Sequence, residues 1–211
     1  MPLLNVVIDL SHHNTVTSFQ DIKDDGILGI IHKATEGATY VDKEYDSRAV
    51  KAKSAGFLWG AYHFGVQGDP AGQADHFLSV VNPGPGDLLV LDFEPNPREG
   101  TMTLKEAEAF VQKVNDQVGR FPGLYSGQAF LSQYLGKGAD TILKNCFLWI
   151  ARYSSALPQI PNVFDTFKLW QYTDGNAGPQ PHEVKGVGSC DRDKFNGDEV
   201  ELRRLWGQSG T

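Results

Sequence analysis

The chain has 211 residues, 40% of them hydrophobic and 21% charged, a composition that supports a buried core and excludes general disorder. A formal net charge of −7 argues against nucleic acid as a partner, because phosphate binding draws on an excess of Lys and Arg. No apolar run approaches the roughly 18 residues of a membrane span, and the N-terminal stretch lacks the basic start of a signal peptide.

In chain order, short Val/Ile/Leu/aromatic runs bounded by Gly, Pro or Asp predict strands over Leu4–Leu10, Leu28–Ala34, Leu58–Phe64, Leu88–Glu94 and Gly123–Ser126. Helices are expected between them, at about Lys43–Ala55, Pro70–Val81, Leu104–Val118 and Gln128–Leu135. The third has the strongest signal: Thr103 and Glu106 form a capping box, and Leu104, Ala107, Val111, Val114 and Val118 recur at helical spacing. Repeated β–α units imply a parallel sheet with right-handed crossovers. After about residue 145 the helices fade and Phe147–Tyr153, Phe167–Thr173 and Gly188–Lys194 read as strands, with a last short helix over Glu199–Trp206. Five βα units followed by three strands supply eight strands, enough to close a barrel.

The strand Leu88–Glu94 ends on two carboxylates spaced two apart and is stopped by Pro95. Residues i and i+2 of a strand share a face, so Asp92 and Glu94 continue the face of Leu88 and Val90, while Leu89, Leu91 and Phe93 take the other. Two acids this close do not both ionise cheaply, so one is expected to hold a proton near neutral pH, as a general acid must. The competing reading of the pair is a strand end whose acids cap or pair with cations. Other polar and aromatic residues also gather at strand ends: Asp9, Lys33 with Glu36, Tyr62, Tyr125, Trp149, Tyr153, Gln171 and Asp191. In a closed parallel barrel those ends meet on one rim, where barrel active sites are built. Taken singly, Tyr62 or Trp149 is rim packing and Lys33 a surface partner of Glu36.

Neither a metal nor a cofactor is expected. His12 and His13 are adjacent and should diverge on a strand, and no His-Glu-x-x-His or Cys-x-x-Cys spacing occurs. Cys146 and Cys190 read as buried small hydrophobes, a disulfide being the alternative. Gly84-Pro85-Gly86 is a turn, since no Gly-Lys-Ser/Thr follows it as in a phosphate loop.

Six ordered segments resemble the signature blocks of glycoside hydrolase family 25, the Chalaropsis-type lysozymes: Val7–His13, Ile31–Gly37, Gly60–Phe64, Leu91–Glu94, Leu148–Tyr153 and Leu169–Thr173. The resemblance spans about residues 5 to 195. It implies an α/β fold, a single flattened TIM-like (β/α)5(β)3 barrel, and hydrolysis of the β-1,4 bond between N-acetylmuramic acid and N-acetylglucosamine in peptidoglycan. Carried over by position, it implies Glu94 as general acid, Asp92 as its companion, and Asp9 and Asp191 as first- and last-strand aspartates. The last block departs from the family's Val-Asp-Leu-Asn, reading Cys190-Asp191-Arg192-Asp193, so Asp193 is a rival to Asp191. Lys33, Tyr62, Tyr125, Trp149, Tyr153 and Gln171 would contact sugar or orient the acids. Residues 1–211 are then one catalytic domain without an appended wall-binding module, acting as a monomer on peptidoglycan glycan strands. Its target lies outside the cytoplasm, reached by phage release, effector delivery or secretion as a mature form. A hydrolase of another amino-sugar polymer such as chitin, and a silent glycan-binding barrel, are the competing readings.

Overall fold

The computed structural model describes residues 3–136 and 139–207. The chain runs β1 (Leu3–Leu10), α1 (Phe19–Asp24), β2 (Gly29–Glu36), β3 (Tyr40–Val41), α2 (Tyr45–Ser54), β4 (Leu58–Phe64), α3 (Pro70–Val81), β5 (Leu88–Asp92), α4 (Leu104–Val118), β6 (Gly123–Gly127) and α5 (Gln128–Tyr134). A 3₁₀ turn (Ile142–Asn145) precedes β7 (Leu148–Ala151), β8 (Leu169–Thr173), β9 (Glu183–Val184), β10 (Gly188–Ser189), β11 (Asp191–Asn196) and α6 (Glu199–Leu205). Eight strands close a barrel in the order β1, β2, β4, β5, β6, β7, β8, β11, and β11 returns to β1. Seven of them are parallel in sequence, and β11 runs antiparallel to both neighbours, β8 and β1. The eight-strand α/β barrel expected from the sequence is therefore the fold.

Strand period 2 builds two apolar layers. Val7, Ile31, Leu58, Leu88, Val90, Leu169 and Phe195 fill the barrel, whereas Ile8, Leu10, Ile30, Leu89, Leu91 and Phe93 pack outward with Phe77, Phe110 and Val114 of the helices. Helix α4 has the expected capping box and buries Ala107, Phe110, Val111 and Val114. Helix α6 plugs the bottom of the barrel with Leu202 and Trp206, whose indole N–H donates to the Trp59 carbonyl at 3.0 Å. At Gly60 in β4 a Cβ would lie 3.1 Å from Leu88 Cβ and 3.2 Å from Ile31 Cγ1, atoms too close to the backbone to swing away. Gly60→Ala is thus expected to destabilise by about 1–3 kcal/mol through overpacking, read as a lower urea midpoint at unchanged slope.

Several expected boundaries move. Strand β5 stops at Asp92: Phe93 N–H still donates to Tyr125 O at 2.9 Å, but Pro95 has no donor and Glu94 leaves the ladder. The expected strand Gly188–Lys194 is split, because Gly186 (φ +82°) and Gly188 (φ +88°) turn the chain into the small β9–β10 ribbon, and the barrel strand begins only at Asp191. His12 and His13 lie past β1 in a turn and do not diverge; their ring centroids are 3.9 Å apart. Cys146 and Cys190 are buried and unpaired.

Candidate active site

At the open end of the barrel an open cavity of about 530 Å³ takes a side chain from the end of seven of the eight strands. Asp9 comes from β1, Tyr62 from β4, Asp92 and then Glu94 from β5 and its continuation, and Tyr125 from β6. Trp149 and Tyr153 come from β7 and just beyond it, Gln171 and Asp174 from β8 and its turn, and Asp191 from β11. Although Glu94 leaves the ladder, it faces the same cavity as Asp92, continuing the inward parity of Leu88 and Val90.

Asp191 reaches this rim for a reason other than the one its position in the sequence implies. It is the first residue of its strand, not the last, and it joins the C-terminal ends of the others because β11 is antiparallel. The register sets it directly opposite Asp9. Asp193, its rival, lies two pairs deeper, opposite Val7, fully buried outside the cavity lining, where its Oδ1 accepts from Trp149 Nε1 at 2.7 Å. The site thus holds two carboxyl pairs, Asp9 with Asp191 across strands and Asp92 with Glu94 along one.

One hydrogen-bond relay orients the first pair. The hydroxyls of Tyr125 and Tyr153 both donate to Gln171 Oε1, at 2.8 and 2.9 Å, which turns Gln171 Nε2 to donate to Asp9 Oδ2 at 2.8 Å. Asp92 has no such support: its Oδ1 is buried without a partner, an uncommon state that leaves it to be met by a ligand or by a proton.

Burial dominates the protonation of the cluster. It raises Glu94 to about 7, with the Asp191 charge adding and Lys33 opposing. Burial raises Asp92 well above the usual carboxylate range, and here Glu94 is the second cause. Within the pair, then, Glu94 acts on Asp92, while the neighbouring charge that acts on Glu94 is that of Asp191. Burial likewise raises Asp9, helped by Asp191 and Asp193, and lifts Asp191 to about 6.

Lys33 is absent from the cavity lining. Its ammonium pairs with Glu36 at 2.5 Å and lies over the rings of Phe64 and Tyr40, and Glu36 is held in turn by Asn96. Asp174 is a lining residue that the sequence reading passed over, because Asp174-Gly175 reads as a turn; its Oδ1 does accept from the amides of Asn176 and Ala177. The rule that strand-end acids face the rim, applied to Leu169–Thr173, would have found it. His63, also at a strand end, faces outward instead, between Thr35 Oγ1 and Gln73 Oε1, and burial holds it down at about 3. Among the described residues no group of three or more His, Cys, Asp or Glu is disposed to hold a metal ion.

Comparison with known proteins adds an independent line. A sequence profile described as Glycosyl hydrolases family 25 matches residues 8–180. The chain is 31% identical to Lysozyme M1 of Streptomyces globisporus, over 94% of this chain and 70% of that protein. It is 28% identical to the N,O-diacetylmuramidase of a Chalaropsis species, over 80% of this chain and 88% of that protein. Among solved structures, the bacterial lysozyme from Streptomyces coelicolor superposes with a TM-score of 0.83 at 26% identity, covering 97% of this chain and 98% of that one. A family GH25 lysozyme from Aspergillus fumigatus gives 0.82 at 30% identity, covering 99% and 100%.

Proposed function

The chain belongs to glycosyl hydrolase family 25, and from that premise we propose that it is a lysozyme, an N-acetylmuramidase cutting the β-1,4 bond from N-acetylmuramic acid to N-acetylglucosamine in peptidoglycan. The observation that carries this reading down to residues is a carboxyl pair at a barrel mouth, Asp92 buried and Glu94 half-buried, with Glu94 raised to about 7.

In this reading Glu94 delivers its proton to the glycosidic oxygen as the bond to the anomeric carbon breaks, so that the leaving sugar departs as a neutral alcohol. Asp92, buried with one oxygen unpartnered, receives the N–H of the 2-acetamido group, a contact that favours its carboxylate form once substrate is bound, and turns the carbonyl oxygen onto the anomeric carbon. The cyclic intermediate is then opened by water, whose proton returns to the Glu94 carboxylate. Attack from opposite faces in two steps retains configuration, and the rule relating carboxyl separation to stereochemistry does not govern a substrate-assisted route. Asp9 and Asp191 supply negative potential for the developing oxocarbenium charge, with Asp9 held in place by Gln171. Tyr62, Trp149 and Tyr153 offer flat apolar faces to pyranose rings, and Trp149 meets Tyr125 edge to face at 4.6 Å.

The site of action is the bacterial cell wall, and the completeness of the barrel within one chain supports action as a monomer. Digestion of purified walls is expected to release fragments with N-acetylmuramic acid at the new reducing end, identified by borohydride reduction and mass spectrometry. Reducing-end N-acetylglucosamine, preferred cleavage of chitin, or cut peptide stems alone would overturn the reading.

A further inference from the structure

A second groove, of about 770 Å³, adjoins the catalytic cavity at Glu94 and is lined by none of its aspartates. It shares Glu94, Tyr125 and Tyr153 with the catalytic cavity and continues over Gly127, Phe130, Ala151 and Arg152. The two spaces differ in chemistry. One is walled by Asp9, Asp92, Asp174 and Asp191, whereas the other is largely apolar and carries the single cationic side chain found on the walls of either.

Arg152 is built in firmly. Its backbone N–H donates to Gln171 O at 3.0 Å, and its carbonyl accepts from Trp170 Nε1 at 2.8 Å. Its guanidinium spends one nitrogen on Leu157 O at 2.6 Å. The same loop is tied to α5 where Gln159 N–H donates to Gln128 Oε1 at 2.8 Å. Among the described residues no carboxylate lies within ion-pair distance of Arg152. A half-buried arginine with an anchored backbone, and with guanidinium donors beyond the one given to Leu157 O, is matched to a planar carboxylate from outside the chain.

We propose that this groove seats the leaving-group side of the glycan and that Arg152 selects substrate by binding a carboxylate carried there. This rests on the muramidase reading. Glu94 must touch the bridging oxygen, and the aspartate-rich side suits the ring that becomes cationic, so the departing sugar lies on the Arg152 side. On that side N-acetylglucosamine is followed by N-acetylmuramic acid, whose lactyl group ends in a carboxylate when bare and bears stem-peptide carboxylates when substituted. Both sources present the same group. In a chain of net charge −7, this local cation gives an anionic polymer its point of attraction.

Three glycans separate the possibilities: walls with stem peptides, walls stripped of peptide by an amidase, and stripped glycan whose lactyl carboxyls are converted to methylamides. Wild-type protein is expected to show a lower KM for at least one carboxylate-bearing glycan than for the amidated one, and the favoured glycan identifies stem or lactyl group. Arg152→Gln should raise KM on the favoured glycan about tenfold, with kcat held and the amidated glycan unaffected, and Arg152→Lys should recover part of the difference. Gly127→Leu tests the groove independently: Gly127 has φ −66°, its Cβ would meet nothing within 4 Å, and a leucine there would obstruct all three glycans alike. Equal effects of Arg152→Gln on all three glycans, or an unchanged KM pattern, would overturn the role of Arg152, and normal kinetics of a folded Gly127→Leu would overturn the groove assignment. Failure of wild-type protein to cut any of the three would instead refute the muramidase reading.

Discussion

Glu94→Gln is expected to lower turnover on peptidoglycan by about 10²–10⁴, because the amide keeps the shape of the side chain and removes the transferable proton. The wild-type pH profile supplies the companion test. With Glu94 proposed to act in its protonated form, and burial raising it to about 7, kcat/KM should fall as pH rises through that value. The limb belongs to the coupled carboxyl cluster as a whole, so a change at Asp191, which contributes to the Glu94 shift, should also move it. The residual activity of Glu94→Gln should have lost that limb. Its fold should gain at neutral pH, with the sign following from linkage. A carboxyl whose folded pKa is raised contributes stability that is fully present below its unfolded value, about 4.3, and is lost as pH rises through the folded value near 7. The variant carries no such loss, so its melting temperature should exceed wild type at pH 8 and converge with it near pH 4. Near-normal turnover in a folded Glu94→Gln would remove the central claim.

Asp92→Asn is expected to cost about 10²–10³ in kcat, the usual range for loss of one fixed polar group aimed at developing charge. Asparagine can place either its oxygen or its nitrogen toward the acetamido N–H, but it no longer brings the negative charge that sharpens that contact. Asp92 is buried, raised well above the ordinary carboxylate range, and has an oxygen without a partner, so its ionisation also weighs on the fold. Stability lost as wild type is taken from pH 4 upward should therefore be partly retained in Asp92→Asn, which denaturant midpoints at two pH values would show. An assay of initial product by NMR adds a mechanistic check: retention shows the β-anomer first in wild type. Near-normal kcat in Asp92→Asn would reduce that residue to scaffolding, and initial α-anomer would exclude the substrate-assisted route.

Much of the site was legible before folding is considered because the informative signals are local. Alternation along Leu88-Leu89-Val90-Leu91-Asp92 assigns the inward face, and the structure places Leu88 and Val90 in the barrel and Leu89 and Leu91 outside it. The same rule brought Asp9, Tyr62, Tyr125, Trp149 and Gln171 to one rim. Helices α3 and α4 run over the predicted residues, since Asp69 with Pro70 and Thr103 with Glu106 mark their starts in the sequence itself.

The remaining decisions depend on which strands meet. Asp191, rather than Asp193, reaches the cavity because β11 runs antiparallel and its register pairs Asp191 with Asp9; direction and register are properties of the closed sheet. Lys33 is held away from the cavity by Glu36, three residues on, and by two rings that no periodicity announces, Tyr40 across the β2–β3 hairpin and Phe64 from β4. The Gln171 amide is oriented by two tyrosines from other strands, and Arg152 meets its groove only after β6, β7 and α5 are assembled. By itself, the sequence determined the order of elements, the faces of the strands and the acids at their ends, because those follow from spacing along one segment. Tertiary structure decided which of these charged groups are paired, which are left free and which face each other, because strand direction, hydrogen-bond register and exclusion of water exist only once the barrel has closed.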